Sequence, residues 1–206
     1  MGASLCAAAA GLGGAGLWLF WPAVALAFVA AIYAAIGTAG FQKVDDGRLS
    51  LAAAWLLAPY LLGAWVNTRL WKGDGRAYAP LRDGVSVGRI PSGATGFAAV
   101  VDVCAELPGP QAVSYAALPM LDLVTPTPAQ LRQAADAIEQ ARRHGTVLVC
   151  CALGYSRSAA AAATWLLVTG RAADAAAAVA QVREARPHLV LDAAARSAID
   201  AAGRLP

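Results

Sequence analysis

The chain has 206 residues, of which 59% are hydrophobic and 14% are charged, and its mean hydropathy is +0.55. A disordered chain would be polar and highly charged, and a typical soluble domain carries about 25% charged residues. The composition therefore excludes a disordered chain and disfavours a wholly soluble globular protein. The formal net charge is only +3. No basic stripe with interleaved aromatic residues accompanies this charge, which argues against a nucleic-acid partner.

The apolar excess is concentrated at the N-terminus. No charged residue precedes Lys43. As one helix, residues 1–42 would be about 63 Å long, roughly twice the hydrocarbon thickness of a bilayer. We therefore expect the run to break, and the predicted break is the aromatic cluster at 18–22, which ends in a proline.

The sequence predicts a transmembrane region over 1–70 with three helices, near 3–18, 22–41 and 49–67. A polar turn at 43–48 joins the second to the third. The first is short for a span, so two spans plus a re-entrant stretch is the alternative. A cleaved signal peptide fits poorly, because the chain has no basic N-terminal region and the apolar run is too long.

Four basic residues follow the last predicted span: Arg69, Lys72, Arg76 and Arg82. Basic residues near membrane ends tend to stay in the cytoplasm. We therefore expect an integral protein of a bacterial-type inner membrane, with its C-terminal domain in the cytoplasm.

Residues 71–83, with glycines and several charges, predict a linker, and 84–206 predict one domain. Predicted strands are 84–90, 98–104, 115–121 and 146–150. Predicted helices are 127–143, 157–169, 171–185 and 191–202, the first with Thr127 as N-cap and Pro128 after it. This alternation predicts an α/β fold with a mostly parallel central sheet flanked by helices.

The predicted strand 146–150 leads to Cys151 and a tight loop that opens directly into a helix. The loop residues are Ala152, Leu153, Gly154, Tyr155 and Ser156. A helix N-terminus binds anions through its unpaired N–H groups and its dipole. Arg157 can hold phosphate oxygens as a bidentate fork, and Ser158 is placed to donate a hydrogen bond to a Cys151 thiolate. The stretch predicts a phosphate-binding loop with a nucleophile at its base.

The pattern Cys151-x5-Arg157-Ser158, with Gly154 inside it, resembles the signature of the cysteine-dependent protein tyrosine phosphatases. The Gly-Tyr-Ser-Arg-Ser stretch at 154–158 is most similar to the dual-specificity branch, and the resemblance covers roughly residues 84–203. It implies a dual-specificity-phosphatase-like domain without a cofactor. In this mechanism Cys151 attacks phosphorus to form a phosphocysteine, stabilised by Arg157 and the loop N–H groups.

The same resemblance implies an aspartic acid about 30 residues before the nucleophile. Asp122 lies 29 residues before Cys151, after a predicted strand, and is the expected general acid. The other two candidates for the acid fit less well, because Asp136 falls on a predicted helix and Asp102 in a predicted strand. The alternative is that Asp122 is an ordinary loop aspartate that caps a turn. The chain departs from the family at Cys150, which occupies the position where the family usually has a histidine that orients the loop.

The four cysteines, Cys6, Cys104, Cys150 and Cys151, lie at no zinc-ligand spacing, so we expect no metal. The adjacent pair does not suit a secreted disulfide framework, which favours a reduced setting. The stretch around Cys104 is similar to one in the tensin-related phosphoinositide phosphatase, and this implies a Cys104–Cys151 redox switch. The alternative is that Cys104 is a small apolar residue of a core strand.

We therefore expect a membrane-anchored phosphatase for phosphomonoesters. Two substrates remain open: phosphotyrosine or phosphoserine/threonine on proteins, and a membrane lipid monophosphate. A polyphosphorylated inositol is disfavoured because the loop residues Ala152, Leu153 and Tyr155 are not basic. The alternative is a non-catalytic phosphate-binding module at the membrane. The sequence leaves the oligomeric state open.

Overall fold

The computed structural model describes residues 3–4, 7–8, 13–70, 76–93 and 95–205. The strands are β1 Tyr78–Arg82, β2 Val85–Arg89, β3 Ala99–Cys104, β4 Ser114–Met120 and β5 Val147–Cys151. The α-helices are α1 Phe20–Ala31, α2 Leu51–Leu56, α3 Ala58–Leu70, α4 Pro128–Arg142, α5 Arg157–Val168, α6 Ala175–Ala185 and α7 Ala193–Gly203.

The five strands form one sheet in the order β1-β2-β5-β3-β4. The β1–β2 pair is antiparallel and all other pairs are parallel. Every residue of β3 and β5 is buried, as expected for central parallel strands covered on both faces. The predicted α/β fold with a mostly parallel sheet is confirmed. Open α/β sheets bind ligands at the carboxyl ends of their strands. The residues that follow β5, the central strand, therefore lie at the edge of the sheet where a ligand would bind.

Helix α4 begins where its capping residues predict. Thr127 accepts a hydrogen bond from the backbone N–H of Gln130, the Gln130 side chain returns to the Thr127 backbone, and Pro128 opens the helix. The apolar face then buries Leu131 and Ile138 among others. Helix α5 packs on α4, α6 and α7, and the core between this layer and the sheet is rich in alanine.

The predicted linker 71–83 needs a correction, because Tyr78–Arg82 is strand β1, paired with β2. The sequence did not predict this strand, because a proline such as Pro80 argues against a strand in sequence-based assignment. At the edge of a sheet the missing N–H removes no ladder bond, so proline is tolerated there. The predicted helix start at 171 is also early: α6 begins at Ala175, after Asp174, whose side chain accepts from the N–H of Ala177.

The prediction of several membrane spans is wrong for the part of the chain that the structure describes. One helical stretch there, Gly16–Ile36, is long and apolar enough to cross a bilayer, with 21 residues and a mean hydropathy of 2.2. At the predicted break, 18–22, the chain stays helical but changes from a 3-10 helix, Gly13–Leu19, to α1. Pro22 lies in the first turn of α1, where proline is tolerated. Within the span predicted near 3–18, residues 5–6 and 9–12 lie outside the described residues, and the last part is the 3-10 helix Gly13–Leu19.

The span predicted near 49–67 is two shorter helices. Helices α2 and α3 have 6 and 13 residues and meet at Leu57, and each is below the length of about 20 residues that a span needs. Leu57 is buried in a second apolar cluster with Ile32, Phe41, Ala105 and Leu121. The N-terminal segment and the α/β domain thus share this second core.

The polar turn predicted at 43–48 is partly buried, at Gly47 and at the side chain of Lys43. The Lys43 side chain is 1% exposed, and its Nζ lies 2.6 Å from Asp102 Oδ2. It also donates to the carbonyl oxygens of Cys104 at 2.6 Å and Leu107 at 2.8 Å. A second contact joins Gly109 N–H to the carbonyl of Gly47 at 2.8 Å. The turn therefore docks the N-terminal segment onto the end of β3.

Candidate active site

The loop 152–156 connects β5 to α5 and has a glycine at its centre for two reasons. Gly154 has a φ of 78°, a conformation that residues with a Cβ rarely adopt. A Cβ at Gly154 would also lie 2.6 Å from the backbone nitrogen of Arg89 and in contact with Gly88. The loop therefore packs directly on the backbone of β2, which sets its height above the sheet.

The predicted nucleophile, Cys151, lies at the base of this loop and is 2% exposed. Its Sγ accepts the N–H of Gly154 at 3.2 Å and lies 3.3 Å from the Ser158 hydroxyl. The same hydroxyl lies 3.4 Å from the carbonyl of Gly88. One backbone N–H and one hydroxyl thus lie against the sulfur, an arrangement suited to an activated cysteine.

The other described cysteines have different surroundings. Cys150 is fully buried in the core, and burial raises the pKa of its thiol well above the ordinary value. Cys104 is also fully buried, which raises the pKa of its thiol, and its Sγ donates to Glu106 Oε2 at 3.2 Å. Both surroundings disfavour a thiolate. The redox pairing of Cys104 with Cys151 stays a prediction.

Arg157 is held at the mouth of the loop by a carboxylate and a carbonyl. Its Nη1 lies 2.6 Å from Glu106 Oε2 and 2.8 Å from the carbonyl of Met120, and its Nη2 lies 3.2 Å from Asp122 Oδ1. The guanidinium is buried, yet within the described part of the chain its Nε has no hydrogen-bond partner.

Asp122, the predicted acid, lies beside Arg157 with its carboxylate 41% exposed. Its backbone N–H donates to Glu106 Oε1 at 2.7 Å. The structure therefore brings together the predicted residues Cys151, Arg157, Ser158 and Asp122, which the sequence separates by up to 36 positions.

Glu106 is a site residue that the sequence analysis did not assign. Burial raises its pKa, but the charge and hydrogen bond of Arg157 and the N–H of Asp122 bring that pKa below its ordinary value. Glu106 is thus an ionised carboxylate that anchors the arginine. Its position in the sequence, just past the carboxyl end of a predicted buried strand, was the feature that could have indicated a site residue.

Two cavities adjoin above the loop. The first, about 340 Å³, has Cys151, Arg157 and Asp122 within it, and its wall includes Leu123, Val124, Leu153, Tyr155, Ser156 and Val190. The second, about 370 Å³, lies between the site and the N-terminal helices. It is lined by Glu106, Asp122, Ala152, Leu153 and Arg157 on one side and by Leu26, Pro59, Tyr60, Ala64 and Asn67 on the other.

The predicted phosphate-binding residues thus lie in these cavity walls, apart from Gly154, which packs on the backbone of β2. Among the described residues, no group of three or more His, Cys, Asp or Glu side chains is arranged to hold a metal ion.

Comparison with solved structures finds the same fold. The mouse putative dual specificity phosphatase complexed with zinc tungstate is 26% identical, with a TM-score of 0.54 over 60% of this chain and 84% of that chain. Human DUSP28 is 27% identical, with a TM-score of 0.53 over 59% and 92%. PTPMT1 in complex with PI(5)P is 15% identical, with a TM-score of 0.51 over 63% and 96%, a likeness of fold alone.

A comparison with curated protein sequences finds no match. The sequence profile described as dual specificity phosphatase, catalytic domain, matches residues 89–199, more than half of the chain. That interval contains β3, β4 and β5, the loop 152–156 and all four predicted catalytic residues. The chain therefore belongs to the dual-specificity phosphatase catalytic-domain family.

Proposed function

We propose that the chain is a membrane-anchored phosphatase that hydrolyses phosphomonoesters through a phosphocysteine intermediate. The observation that carries the proposal is the convergence of Cys151, Arg157 and Asp122 on one cavity. A nucleophile, an oxyanion clamp and an acid on one cleft are the parts that phosphoryl transfer needs.

In the first step the Cys151 thiolate attacks phosphorus, and the bond from phosphorus to the leaving oxygen breaks. Asp122 donates its proton to that oxygen, so the alcohol departs neutral. Arg157 and the N–H groups of the loop bind the phosphoryl oxygens as charge moves onto them. In the second step Asp122 takes a proton from water, the water oxygen bonds to phosphorus, and the sulfur–phosphorus bond breaks to release phosphate.

The N-terminal segment supports a membrane location. Besides the apolar stretch Gly16–Ile36, it leaves several large apolar side chains at least 39% exposed: Leu17, Trp18, Phe20, Val24, Phe28, Trp55, Leu62 and Trp65. Tryptophans favour the bilayer interface. The basic residues that follow α3 favour a cytoplasmic position for the α/β domain.

Between the two substrate classes, the geometry favours a membrane lipid monophosphate over a phosphoprotein. One wall of the second cavity comes from α1 and α3, including Leu26, Pro59 and Ala64. The rim of the first cavity exposes Leu123 by 98% and Val190 by 66%. Exposed apolar side chains around a site mark contact with an apolar partner. A phosphate at the bilayer surface would therefore reach Cys151 with its lipid body against this wall.

The test uses the full chain in detergent micelles and in vesicles. Phosphate release is measured from p-nitrophenyl phosphate, from a glycerophospholipid with a terminal phosphomonoester, and from phosphotyrosine and phosphothreonine peptides. Cys151→Ala is compared with Cys150→Ala, a matched loss of the neighbouring thiol.

We expect release to be abolished by Cys151→Ala and retained by Cys150→Ala, with the lipid preferred to the peptides. Peptide preference would transfer the substrate assignment to phosphoproteins. A wild-type chain that binds tungstate but releases no phosphate would be a non-catalytic binding module.

A further inference from the structure

Tyr33 connects the N-terminal helix to the candidate active site. It lies on the single π-helical turn Ile32–Ile36 that follows α1, and its hydroxyl donates to Glu106 Oε1 at 3.0 Å. A π-turn shifts the side chains of a helix relative to the α-helical register and frequently occurs at functional sites. Ile32, the preceding residue, is buried against Phe41 and Leu57, so the turn that carries Tyr33 is fixed.

The Glu106 carboxylate joins four donors from different parts of the chain. Oε1 accepts from Tyr33 and from the N–H of Asp122, and Oε2 accepts from Arg157 and from the Cys104 thiol. Four donors occupy the lone-pair capacity of a carboxylate. The orientation of this one group is therefore coupled to both Arg157 and the loop that carries the acid.

Lys43 holds the backbone of the same carboxylate. Its Nζ bonds the carbonyl oxygens of Cys104 and Leu107, which flank Glu106 in the chain. It also pairs with Asp102 at the end of β3. The N-terminal segment thus fixes Glu106 twice, through its backbone by Lys43 and through its carboxylate by Tyr33.

We propose that Tyr33 is a positioning residue for Arg157, acting through Glu106. The proposal rests on the proposed function for its kinetic consequence. Without the Tyr33 hydroxyl, Glu106 Oε1 keeps a single donor, and the Glu106 carboxylate can rotate more freely. The guanidinium of Arg157, which is bonded to that carboxylate, is then held less firmly. The arginine then binds oxyanions less well, in the ground state and in the transition state alike.

The experiment uses the full chain in detergent and compares Tyr33→Phe with Tyr78→Phe. Tyr78 lies on the edge strand β1, where its ring contacts Phe97, and its variant is a matched loss of one phenolic hydroxyl. Two quantities are measured, kcat/KM for p-nitrophenyl phosphate and the Kd of tungstate by calorimetry.

We expect Tyr33→Phe to reduce both kcat/KM and tungstate affinity about tenfold, the loss typical for one hydrogen bond to a charged group. Tyr78→Phe should leave both unchanged. Values within twofold of wild type for Tyr33→Phe would overturn the proposal. A wild-type chain that binds tungstate without phosphatase activity would refute the proposed function alone, and tungstate affinity would still decide the position of Tyr33.

A double-mutant cycle separates this coupling from a general packing effect. In the Glu106→Gln variant the Tyr33 hydroxyl has no charged acceptor. Adding Tyr33→Phe to that variant should therefore change kcat/KM less than twofold. A second loss of about tenfold in that background would mean that Tyr33 acts by some other route, and the proposal would fail.

Discussion

Lys43 Nζ lies 2.6 Å from Asp102 Oδ2, and the two side chains are 1% and 0% exposed. Asp102 also accepts from the Tyr115 hydroxyl at 2.5 Å and from the N–H of Cys104 at 2.8 Å. A lysine from outside the family-matched region therefore completes a polar cluster inside the α/β domain. The N-terminal segment is by this contact a part of the phosphatase core.

Lys43→Met should lower the free energy of unfolding by about 3–5 kcal/mol, because it leaves the buried Asp102 carboxylate without its counter-charge. The measurement is heat denaturation of the full chain in detergent, followed by circular dichroism. Arg48→Met is the control, since Arg48 pairs with Asp46 at the surface, where the two side chains are 82% and 49% exposed. Exposed pairs contribute about 0–1 kcal/mol. Equal losses for the two variants would contradict the structural importance of Lys43.

Asp122→Asn should slow the enzyme according to the leaving group. An acid matters most when the departing oxygen is basic, so hydrolysis of phenyl phosphate should fall by about 10²–10⁴-fold. The loss on p-nitrophenyl phosphate, whose leaving group needs little protonation, should be smaller. Asp136→Asn is the control, because Asp136 lies on the exposed face of α4 beside Arg132. An equal loss on both substrates would argue that Asp122 is not the acid.

Gly154→Ala should abolish activity and destabilise the chain, because the new Cβ meets the backbone of β2 and the residue keeps a positive φ. Gly170→Ala is a matched control with a φ of 70° and nothing within 4 Å of the added Cβ. The control isolates the conformational cost of about 1–2 kcal/mol. Heat denaturation and kcat/KM of both variants provide the comparison. Similar effects on kcat/KM would show that the loop tolerates displacement from Gly88.

Glu139 predicts a specific pH dependence of stability. Hydrogen bonding from Arg142, then from Trp165, with the nearby charge of Arg171, lowers the pKa of Glu139 from 4.5 to about 2 in the folded chain. A carboxyl whose folded pKa is depressed stabilises the fold above its unfolded pKa, and loses this contribution as the pH falls through the folded value. The difference in Tm between wild type and Glu139→Gln should be full above pH 4.5 and vanish near pH 2.

The control for this pH series is Glu184→Gln. Glu184 is exposed on α6 and forms no ion pair with the described residues. Its Tm difference from wild type should stay close to zero at every pH. A Glu139→Gln difference that persists unchanged at pH 2 would contradict the assigned cause.

The sequence predicted the site best where its residues are neighbours in the chain. Cys151, Gly154, Arg157 and Ser158 act within one strand–loop–helix unit, so a local pattern contains most of the geometry. Asp122 followed from the family resemblance, since no local rule ties a loop aspartate to a distant cysteine. The structure places it beside Arg157 at 3.2 Å, while its role as the acid stays a prediction.

The contacts made by Tyr33 and Lys43 could not be predicted in this way. Each joins residues about 60–70 positions apart, and a lysine between apolar segments is most often at the surface. The same limit explains the excess of predicted spans. Hydropathy cannot distinguish a helix face that meets lipid from one that packs on a domain, as Leu57 does.

The two N-terminal contacts with the Glu106 region also bear on where this phosphatase can become competent. Tyr33 and Lys43 leave the ribosome before any strand of the sheet, so the N-terminal segment is already made when the α/β domain folds onto it. A copy cleaved between α3 and β1 would keep its catalytic loop but depend on a detached fragment for the orientation of Arg157. With the proposed membrane anchor, attachment to the bilayer and the orientation of Arg157 would depend on the same segment of the chain.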